Sequence, residues 1–464
     1  MTKPTDLAPV PKDASVNVGD GVGLRSRTGG SVAFGVREFA GRRVVFAEVG
    51  GENRGALRSA DGENLAIAAR TAREKRIPLV CFMASSGAAI DEGVGAVHGW
   101  GAAAREFVAC SGLVPIVFSV TGPTVSGPAL LLGLADLVVM IDETYAFVSG
   151  PQMVRQFTGE EISNEGLGGT SMHGATSGVA HFIASNREEA ENLIAELLGY
   201  LPDHADVAPT GWACADSVNR PTPEAGELIP DTPTGSYDVR GVLAAVADDG
   251  HLLEPRANWA TNLVTAFASV GGRPVGLVAN QPQSVAGTLD IAASQKGGRF
   301  VAFCDAFNLP LVTFVDTSGF YPGKDLEWRG MIRYGAQMAF AYARATVPRI
   351  CVTLRKSYGG AYIVMDSRNM GNDLMLAWPS AEIAVMGAKG AVEILHRDAD
   401  DAQRESLASA YEDRLLNPYI AAERGSVDRV IDPADTRSEV AAALEVLVGK
   451  RERLPRRRHD NTPL

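Results

Sequence analysis

Two glycine-bearing loops hold the residues whose types and spacing could do chemistry. Gly360 and Ala361, in KSYGGAYIVM, follow the apolar, β-rich run VPRICVTL, and Ser126 and Gly127, in TVSGPA, follow the similar run LVPIVFSV. Small residues at the exit of a buried strand leave backbone N–H groups open to a ligand. Where a helix begins at such a loop, its unpaired N–H groups and its dipole favour negative charge, so each loop could hold a developing oxyanion.

A purely structural explanation competes with this one. Glycines at a strand exit also form tight turns or let a helix pack closely against the strand, and for a single loop that explanation would be favoured. The same arrangement occurs in both halves of the chain, which favours a shared chemical role.

The loops are positioned by a pattern of strands and helices that occurs twice. Glycine-punctuated, alternating strand and helix patterns indicate βαβ units and predict an α/β fold. Corresponding intervals agree: 37 residues from Gly41 to Pro78 and 38 from Gly272 to Pro310, then 12 from Pro115 to Gly127 and 12 from Pro348 to Gly360. These matches indicate an internal duplication.

A segment rich in proline, threonine and acidic residues, from Cys214 to Gly235, is typical of a linker, so domains are predicted at 1–225 and 226–464.

Composition and missing motifs exclude several classes of function. The formal net charge of -12 argues against nucleic acid as a partner. The five cysteines form no C-x-x-C pair and His173 and His181 are eight residues apart, so no metal site is predicted. The G-x-S-x-G, H-E-x-x-H and G-x-x-x-x-G-K-[ST] motifs are absent from the sequence. No signal peptide and no run of about 20 apolar residues is found, so we expect a cytoplasmic protein that is not bound to a membrane.

Chemistry without these side-chain motifs must depend on backbone donors and on groups that the substrates bring. Enolate chemistry on a thioester fits this description, because the carbonyl oxygen becomes negative as the α-proton leaves. Removing one donor to such an oxygen typically costs roughly 3 kcal/mol in transition-state stabilisation.

Long stretches of the sequence resemble the carboxyltransferase (β) subunits of biotin-dependent acyl-CoA carboxylases. The resemblance is carried by NQPQSVAGTLDIAASQKGGRFVAFCDAFNLPLVTFVD, RYGAQMAFAYARATVPRI, RKSYGGAYIVM and AWPSAEIAVMGAKGAVEIL. It runs almost unbroken from Tyr237 to about Leu395, and a looser match covers roughly Ser31 to Pro202. It implies two tandem crotonase-like domains (the ClpP/crotonase superfold), one from each copy of the duplication.

The resemblance also implies roles for both loops. The N–H groups of Gly360 and Ala361 would hold the ureido oxygen of biotin, and those of Ser126 and Gly127 would hold the thioester oxygen of an acyl-CoA. The ring nitrogen of biotin would take the α-proton, which explains why no side-chain base is needed. Further substrate contacts are expected from Tyr358, Tyr362, Ile363, Gly87 and Ala88, with Ile363 lining the pocket for the acyl tail.

The same resemblance implies cofactors, partners and assembly. Carboxybiotin and an acyl-CoA would be the substrates, with no metal ion in this chain. The sequence contains no A-M-K-M-type biotin attachment motif, so a biotin carboxylase and biotin carrier (α) subunit is expected as a partner. A hexamer built as a trimer of dimers is expected, with each active site between the first half of one subunit and the second half of its neighbour.

The first half departs from the family pattern at its functional loops. Ser86 and Ala89 stand where the family has glycine and arginine, and Ser126 stands where it has glycine, with Pro128 following two residues later. A Cβ at a glycine position can block close approach of the backbone, and loss of an arginine removes a fixed charge. The resemblance implies transfer from carboxybiotin to acetyl-, propionyl- or another short acyl-CoA, and from the altered first-half loops we expect an unusual acceptor, either a modified acyl-CoA or a carrier-bound acyl group.

Two alternatives stay open at this point. The same half-reaction in reverse would serve a biotin-dependent decarboxylase, and one chain does not separate the two directions because the microscopic steps are shared. The altered first-half loops would also suit a catalytically impaired subunit that scaffolds an active relative.

Overall fold

The structure is a computed structural model that describes residues 30–463 except 231 and 233. Its contacts divide the chain into two compact units, the first ending at Ala208 and the second beginning at Pro209. No helix among the described residues has both the length and the apolar character needed to cross a bilayer.

The predicted linker packs on the second unit. The N–H of Thr222 donates to the carbonyl of Ala434 at 2.8 Å, and the buried Arg437 guanidinium donates to the carbonyl of Ser217 at 3.0 Å. By this division, the boundary predicted near residue 225 falls inside the second unit.

The first unit is built on a seven-stranded sheet covered by helices. Its strands are β1 (Val32–Phe39), β2 (Arg42–Val49), β3 (Leu79–Ser85), β4 (Ile116–Val125), β5 (Leu137–Ile141), β6 (Ala146–Phe147) and β7 (Phe182–Ala184). Its helices are α1 (Ser59–Lys75), α2 (Val94–Cys110), α3 (Pro151–Thr158), α4 (Asn164–Gly168), α5 (Thr170–Ala175) and α6 (Arg187–Tyr200). The sheet order is β1-β2-β3-β4-β5-β7, with β6 paired to β4. Only β1 and β2 pair in antiparallel fashion within this sheet as the structure describes it.

The second unit repeats this architecture. Its strands are β8 (Leu263–Val270), β9 (Arg273–Asn280), β10 (Leu311–Thr317), β11 (Arg349–Tyr358), β12 (Leu374–Ala377), β13 (Glu382–Ala384) and β14 (Arg429–Val430). Its helices are α7 (Pro223–Glu227), α8 (Val239–Val246), α9 (Ile291–Ala306), α10 (Lys324–Trp328), α11 (Met331–Arg344), α12 (Gly359–Val364), α13 (Ala388–Leu395), α14 (Asp401–Tyr411), α15 (Pro418–Glu423) and α16 (Thr436–Val446). The order is β8-β9-β10-β11-β12-β14, with β13 paired to β11.

The predicted duplication is confirmed by these matching sheets. Strands begin directly after Pro78 and Pro115 in the first unit and directly after Pro310 and Pro348 in the second, as the repeated intervals indicate. The two sheets also share an irregularity. The strand register shifts near the end of β3, where it pairs with β4, and near the end of β10, where it pairs with β11. The central strands β3 and β10 are buried along their whole length, as is typical of parallel strands inside an α/β sheet.

Candidate active site

The two glycine-bearing loops lie at the carboxyl ends of parallel strands. In the second unit β10 and β11 run side by side, with Thr317 paired to Ser357. In the first unit β3 and β4 do the same, with Ser85 paired to Thr124. This edge is where ligands bind in open α/β sheets, because helix N-termini and loops converge there.

The second-unit loop leads directly into α12, which begins at Gly359 with Tyr358 as its N-cap. The first N–H groups of a helix have no acceptor within the helix, and these include Gly360 and Ala361. No side chain caps them. Gly360 is exposed and Ala361 is buried. The loop therefore presents the helix-N-terminal amide of Gly360 at an open surface, as a site for a negative oxygen requires, and Ala361 lies buried behind it.

A further amide beside this loop belongs to Phe320. Leu289 donates its N–H to the carbonyl of Gly319 at 3.1 Å and accepts from the N–H of Tyr321 at 2.8 Å. Successive N–H groups of an extended segment point to opposite sides, so the Phe320 N–H points away from Leu289. It has no acceptor among the described residues. Phe320 was not among the residues predicted from the sequence, although the duplication interval maps it onto Ala88.

The ring of Phe320 packs against the loop. A Cβ built on Gly360 would lie 3.3 Å from Cε2 of this ring, and one built on Gly335 of α11 would lie 3.2 Å from Cε1 and Cζ. The ring is thus held between two glycines. Absence of a side chain at Gly360 keeps both the ring and the neighbouring amide in place.

In the first unit the amide of Ser126 is not free, contrary to the prediction that it holds the thioester oxygen. It donates to the carbonyl of Phe147 at 2.8 Å, extending the pairing of β4 with β6. Gly127 begins a 3-10 helix (Gly127–Leu134), so its N–H has no acceptor in that helix. Pro128 follows and carries no N–H. Among the predicted donors of this loop, Gly127 is the one that stays open.

Ala88 supplies the second open amide of the first unit. Leu57 donates to the carbonyl of Gly87 at 2.8 Å and accepts from the N–H of Ala89 at 2.8 Å, so the Ala88 N–H points away from Leu57. It has no acceptor among the described residues. Gly87 itself donates to Ser85 Oγ at 3.1 Å. Ala88 therefore corresponds to Phe320, and Gly127 to Gly360.

Behind Gly127 stands the indole of Trp100, on α2. A Cβ built on Gly127 would lie 3.0 Å from Cε2 and Cζ2 of that ring and 3.1 Å from Nε1. Trp100 is partly buried against the core of the first unit. A side chain at residue 127 would therefore have to displace a packed ring.

A buried charge network fixes the strand ends beneath the second loop. Asp316 accepts hydrogen bonds from Tyr237 Oη at 2.9 Å, from Arg355 Nε at 3.0 Å and from the Lys356 N–H at 3.2 Å. Burial raises the pKa of the Asp316 carboxyl, and the Arg355 guanidinium opposes that rise. Because β10 carries Asp316 and β11 carries Arg355, this pair locks the two strands that lead into the site.

A second buried pair secures both ends of the segment that carries the loop. Arg349, the first residue of β11, donates to Asp366 Oδ1 at 2.8 Å, and both side chains are at most 1% exposed. Asp366 lies just beyond α12. Burial raises the pKa of Asp366 to about 7, although Arg349 pulls it down. The pair joins the start of β11 to the end of α12.

The other predicted residues of the second loop surround α12. Tyr358 is buried, donates its hydroxyl to Glu382, and has its pKa raised above the usual range by burial. Tyr362 is partly buried, and Ile363 is 36% exposed. Ile363 therefore offers an apolar surface to a ligand rather than a purely internal contact.

The two histidines singled out in the sequence, His173 and His181, form hydrogen bonds with other groups of this chain. His173 contacts the carbonyl of Ala146 through Nε2 and Ser177 Oγ through Nδ1, each at 2.7 Å. His181 accepts from the N–H of Val138 at 3.1 Å. Within the described part of the chain, no group of three or more His, Cys, Asp or Glu side chains is placed to hold a metal ion.

Comparisons with known proteins agree with this arrangement. Residues 20–462 match the family model described as the carboxyl transferase domain. The chain is 42% identical over 456 residues to the propionyl-CoA carboxylase beta chain of Saccharopolyspora erythraea, covering 94% of this chain and 84% of that one. It is 40% identical over 442 residues to the methylmalonyl-CoA decarboxylase subunit alpha of Veillonella parvula, covering 94% and 86%.

A solved structure shows the same fold. The transcarboxylase 12S hexamer, crystallised with methylmalonyl-coenzyme A and methylmalonic acid bound, superposes with a TM-score of 0.91 at 41% identity, covering 94% of this chain and 85% of that one. The predicted fold, two tandem crotonase-like domains, is thereby confirmed.

Proposed function

The chain belongs to the carboxyl transferase domain family, and from that premise we propose that it moves a carboxyl group between carboxybiotin and the α-carbon of a short acyl-CoA. The observation that carries this proposal is the repeated pair of strand-end amides, Phe320 and Gly360 in the second unit and Ala88 and Gly127 in the first. The reaction develops negative charge on two oxygens, one on each substrate, and each needs its own donors.

In the second unit, the amides of Gly360, Ala361 and Phe320 would hold the ureido oxygen of biotin. Their fit to this group rests on the open surface at Gly360, where a Cβ would crowd both the ring of Phe320 and an approaching ligand. The dipole of α12 adds partial positive charge at the same place.

In the first unit, the amides of Gly127 and Ala88 would hold the thioester oxygen as the α-carbon loses its proton. Carboxybiotin supplies the CO2 and, once that is lost, the ring nitrogen that takes the α-proton. The protein's contribution is to place the two oxygens against fixed dipoles, which are already oriented before the reaction starts.

Ile363 and Tyr362 would line the acyl pocket. An apolar side chain that is 36% exposed offers no hydrogen bond to a polar tail, so acetyl- and propionyl-CoA are the proposed acceptors.

We also propose a hexamer and a separate biotin-bearing partner subunit. The 12S relative is a hexamer, and large apolar side chains are exposed on both units of this chain, including Ile90 at 95% and Ile332 at 84%. Single exposed apolar side chains also occur on monomeric proteins, so the hexameric relative, and not these side chains, supports the proposed assembly.

The proposal is tested in the reverse direction, which needs no partner subunit. Purified protein is mixed with free biotin and either malonyl-CoA or methylmalonyl-CoA, and release of acetyl-CoA or propionyl-CoA is followed by mass spectrometry. Biotin-dependent release is the expected result. Protein that binds a biotinylated carrier yet releases neither product would instead indicate an impaired scaffold subunit and would refute the proposal.

The second candidate function is the carboxyltransferase of a biotin-dependent decarboxylase. The 40% identity to a methylmalonyl-CoA decarboxylase subunit favours it. Because both directions use the same steps, the discriminating measurement is the partner that co-purifies with the native protein: a biotin carboxylase indicates carboxylation, and a membrane-bound subunit indicates decarboxylation.

A further inference from the structure

Ser126 has a backbone conformation that is almost limited to glycine. Its φ is 67° and its ψ is −156°, a region in which a side chain is strained. In the second unit the equivalent residue, immediately after the strand that corresponds to β4, is Gly359, with a φ of 58°. The first unit therefore carries a strained serine where its own duplicate has an unstrained glycine.

The strain at Ser126 is not offset by any buried packing or internal hydrogen bond of its side chain that the structure describes. Ser126 is exposed, and its hydroxyl has no hydrogen-bond partner among the described residues. Buried packing and an internal hydrogen bond are both ruled out, within that part of the chain, as reasons for a serine.

The Ser126 side chain lies beside the candidate thioester site. A Cβ built on Gly87 would lie 3.0 Å from Ser126 Cβ and 3.6 Å from Ser126 Oγ. The side chain thus covers the backbone just before Ala88, whose N–H is open, and it is adjacent in the chain to Gly127, whose N–H is also open. Trp100 backs Gly127, so the loop has no room to withdraw from this position.

The first loop is also short of one donor. Pro128 occupies the position that Ala361 holds in the second unit, and proline has no N–H. The Ser126 amide is already bonded to Phe147. A hydroxyl at this place would restore the number of donors.

We propose that the Ser126 hydroxyl donates a hydrogen bond to the thioester oxygen of the acyl-CoA, in place of the amide that Pro128 lacks. This inference rests on the proposed function. The hydroxyl acts as a donor and not as a nucleophile, because no general base among the described residues contacts it to remove its proton. The substrate class is unchanged, but the oxygen is held by a side chain that a Gly-Gly loop does not provide.

The test compares Ser126→Gly, Ser126→Ala and the double variant S126G/P128A in transfer from methylmalonyl-CoA to free biotin. Both single variants are expected to lower kcat about 100-fold with little change in KM, because the bond strengthens as the oxygen becomes negative. The double variant gives the first loop the Gly-Gly-Ala sequence of the second and is expected to recover at least about tenfold of that loss, since it restores an N–H.

Thermal unfolding supplies a readout that separates strain from catalysis. Ser126→Gly should raise Tm by roughly 2–6 °C as the strain is released. The matched control is Glu143→Gly, at another exposed residue with a φ of 63°, which should also raise Tm but leave kcat unchanged.

A Ser126→Gly protein that turns over as fast as the wild type, or faster, overturns the inference and leaves the proposed function standing. A rise in KM alone also overturns it. Wild-type protein that transfers no carboxyl group overturns both.

Discussion

Replacing Gly360 with valine should abolish carboxyl transfer while the protein stays folded. The new Cβ would lie 3.3 Å from Cε2 of Phe320, and that ring does not move away freely because Gly335 packs on its other side. The methyl groups of valine would also project at the exposed surface where the amide of Gly360 is open, in front of the buried Ala361.

The size of the effect follows from the donors that are lost. Blocking a single oxyanion donor lowers kcat by about 10²–10³-fold, and this change obstructs two and displaces the residue that carries a third. We therefore expect at least a 10²-fold loss of kcat. The overpacked ring should cost about 1–3 kcal/mol of unfolding free energy, which a chain of this size tolerates.

The assay is reverse transfer from methylmalonyl-CoA to free biotin, together with calorimetric binding of the acyl-CoA. Binding of the acyl-CoA should be retained, because the first-unit loop is unchanged. Gly199→Val is the matched control: a Cβ there meets nothing within 4 Å, and activity should be near that of the wild type. A folded Gly360→Val protein with more than about a tenth of wild-type kcat would refute the assignment of these amides.

Three further predictions concern charged side chains. Asp366→Ala leaves the Arg349 guanidinium buried without its partner and should lower the free energy of unfolding by about 3–5 kcal/mol in urea titrations; a loss below about 1 kcal/mol would contradict a buried ion pair. The hydrogen bond from Arg220 holds the pKa of Asp216 at about 2, below its unfolded value of about 3.9, so this carboxylate stabilises the fold above about pH 4. The difference in Tm between the wild type and Asp216→Asn should therefore close as the pH falls from 4 to 2. A difference in Tm that does not depend on pH would contradict this stabilising role. Lys296→Met removes the donor to three backbone carbonyls and should cost about 1–3 kcal/mol in the same titrations, whereas an unchanged midpoint would show that those carbonyls find other partners.

The sequence by itself determined the duplication and the positions of both loops. Strand starts after Pro78 and Pro310 and the equal 12-residue intervals to Gly127 and Gly360 could be predicted because apolar runs, prolines and glycines are local signals. The same signals placed Gly360 and Ala361 at a helix N-terminus, where the lack of intrahelical acceptors depends only on where the helix begins.

Only the tertiary structure decided which amides are open. Ser126 loses its N–H to Phe147 in a two-residue strand too short to be predicted from sequence, and Phe320 keeps its N–H because Leu289 pairs with the residues on either side of it. The strain at Ser126 is likewise invisible in the sequence. The physical reason is that the direction and pairing of a backbone N–H depend on which distant segment lies alongside it, and no local pattern of residue types records that neighbour.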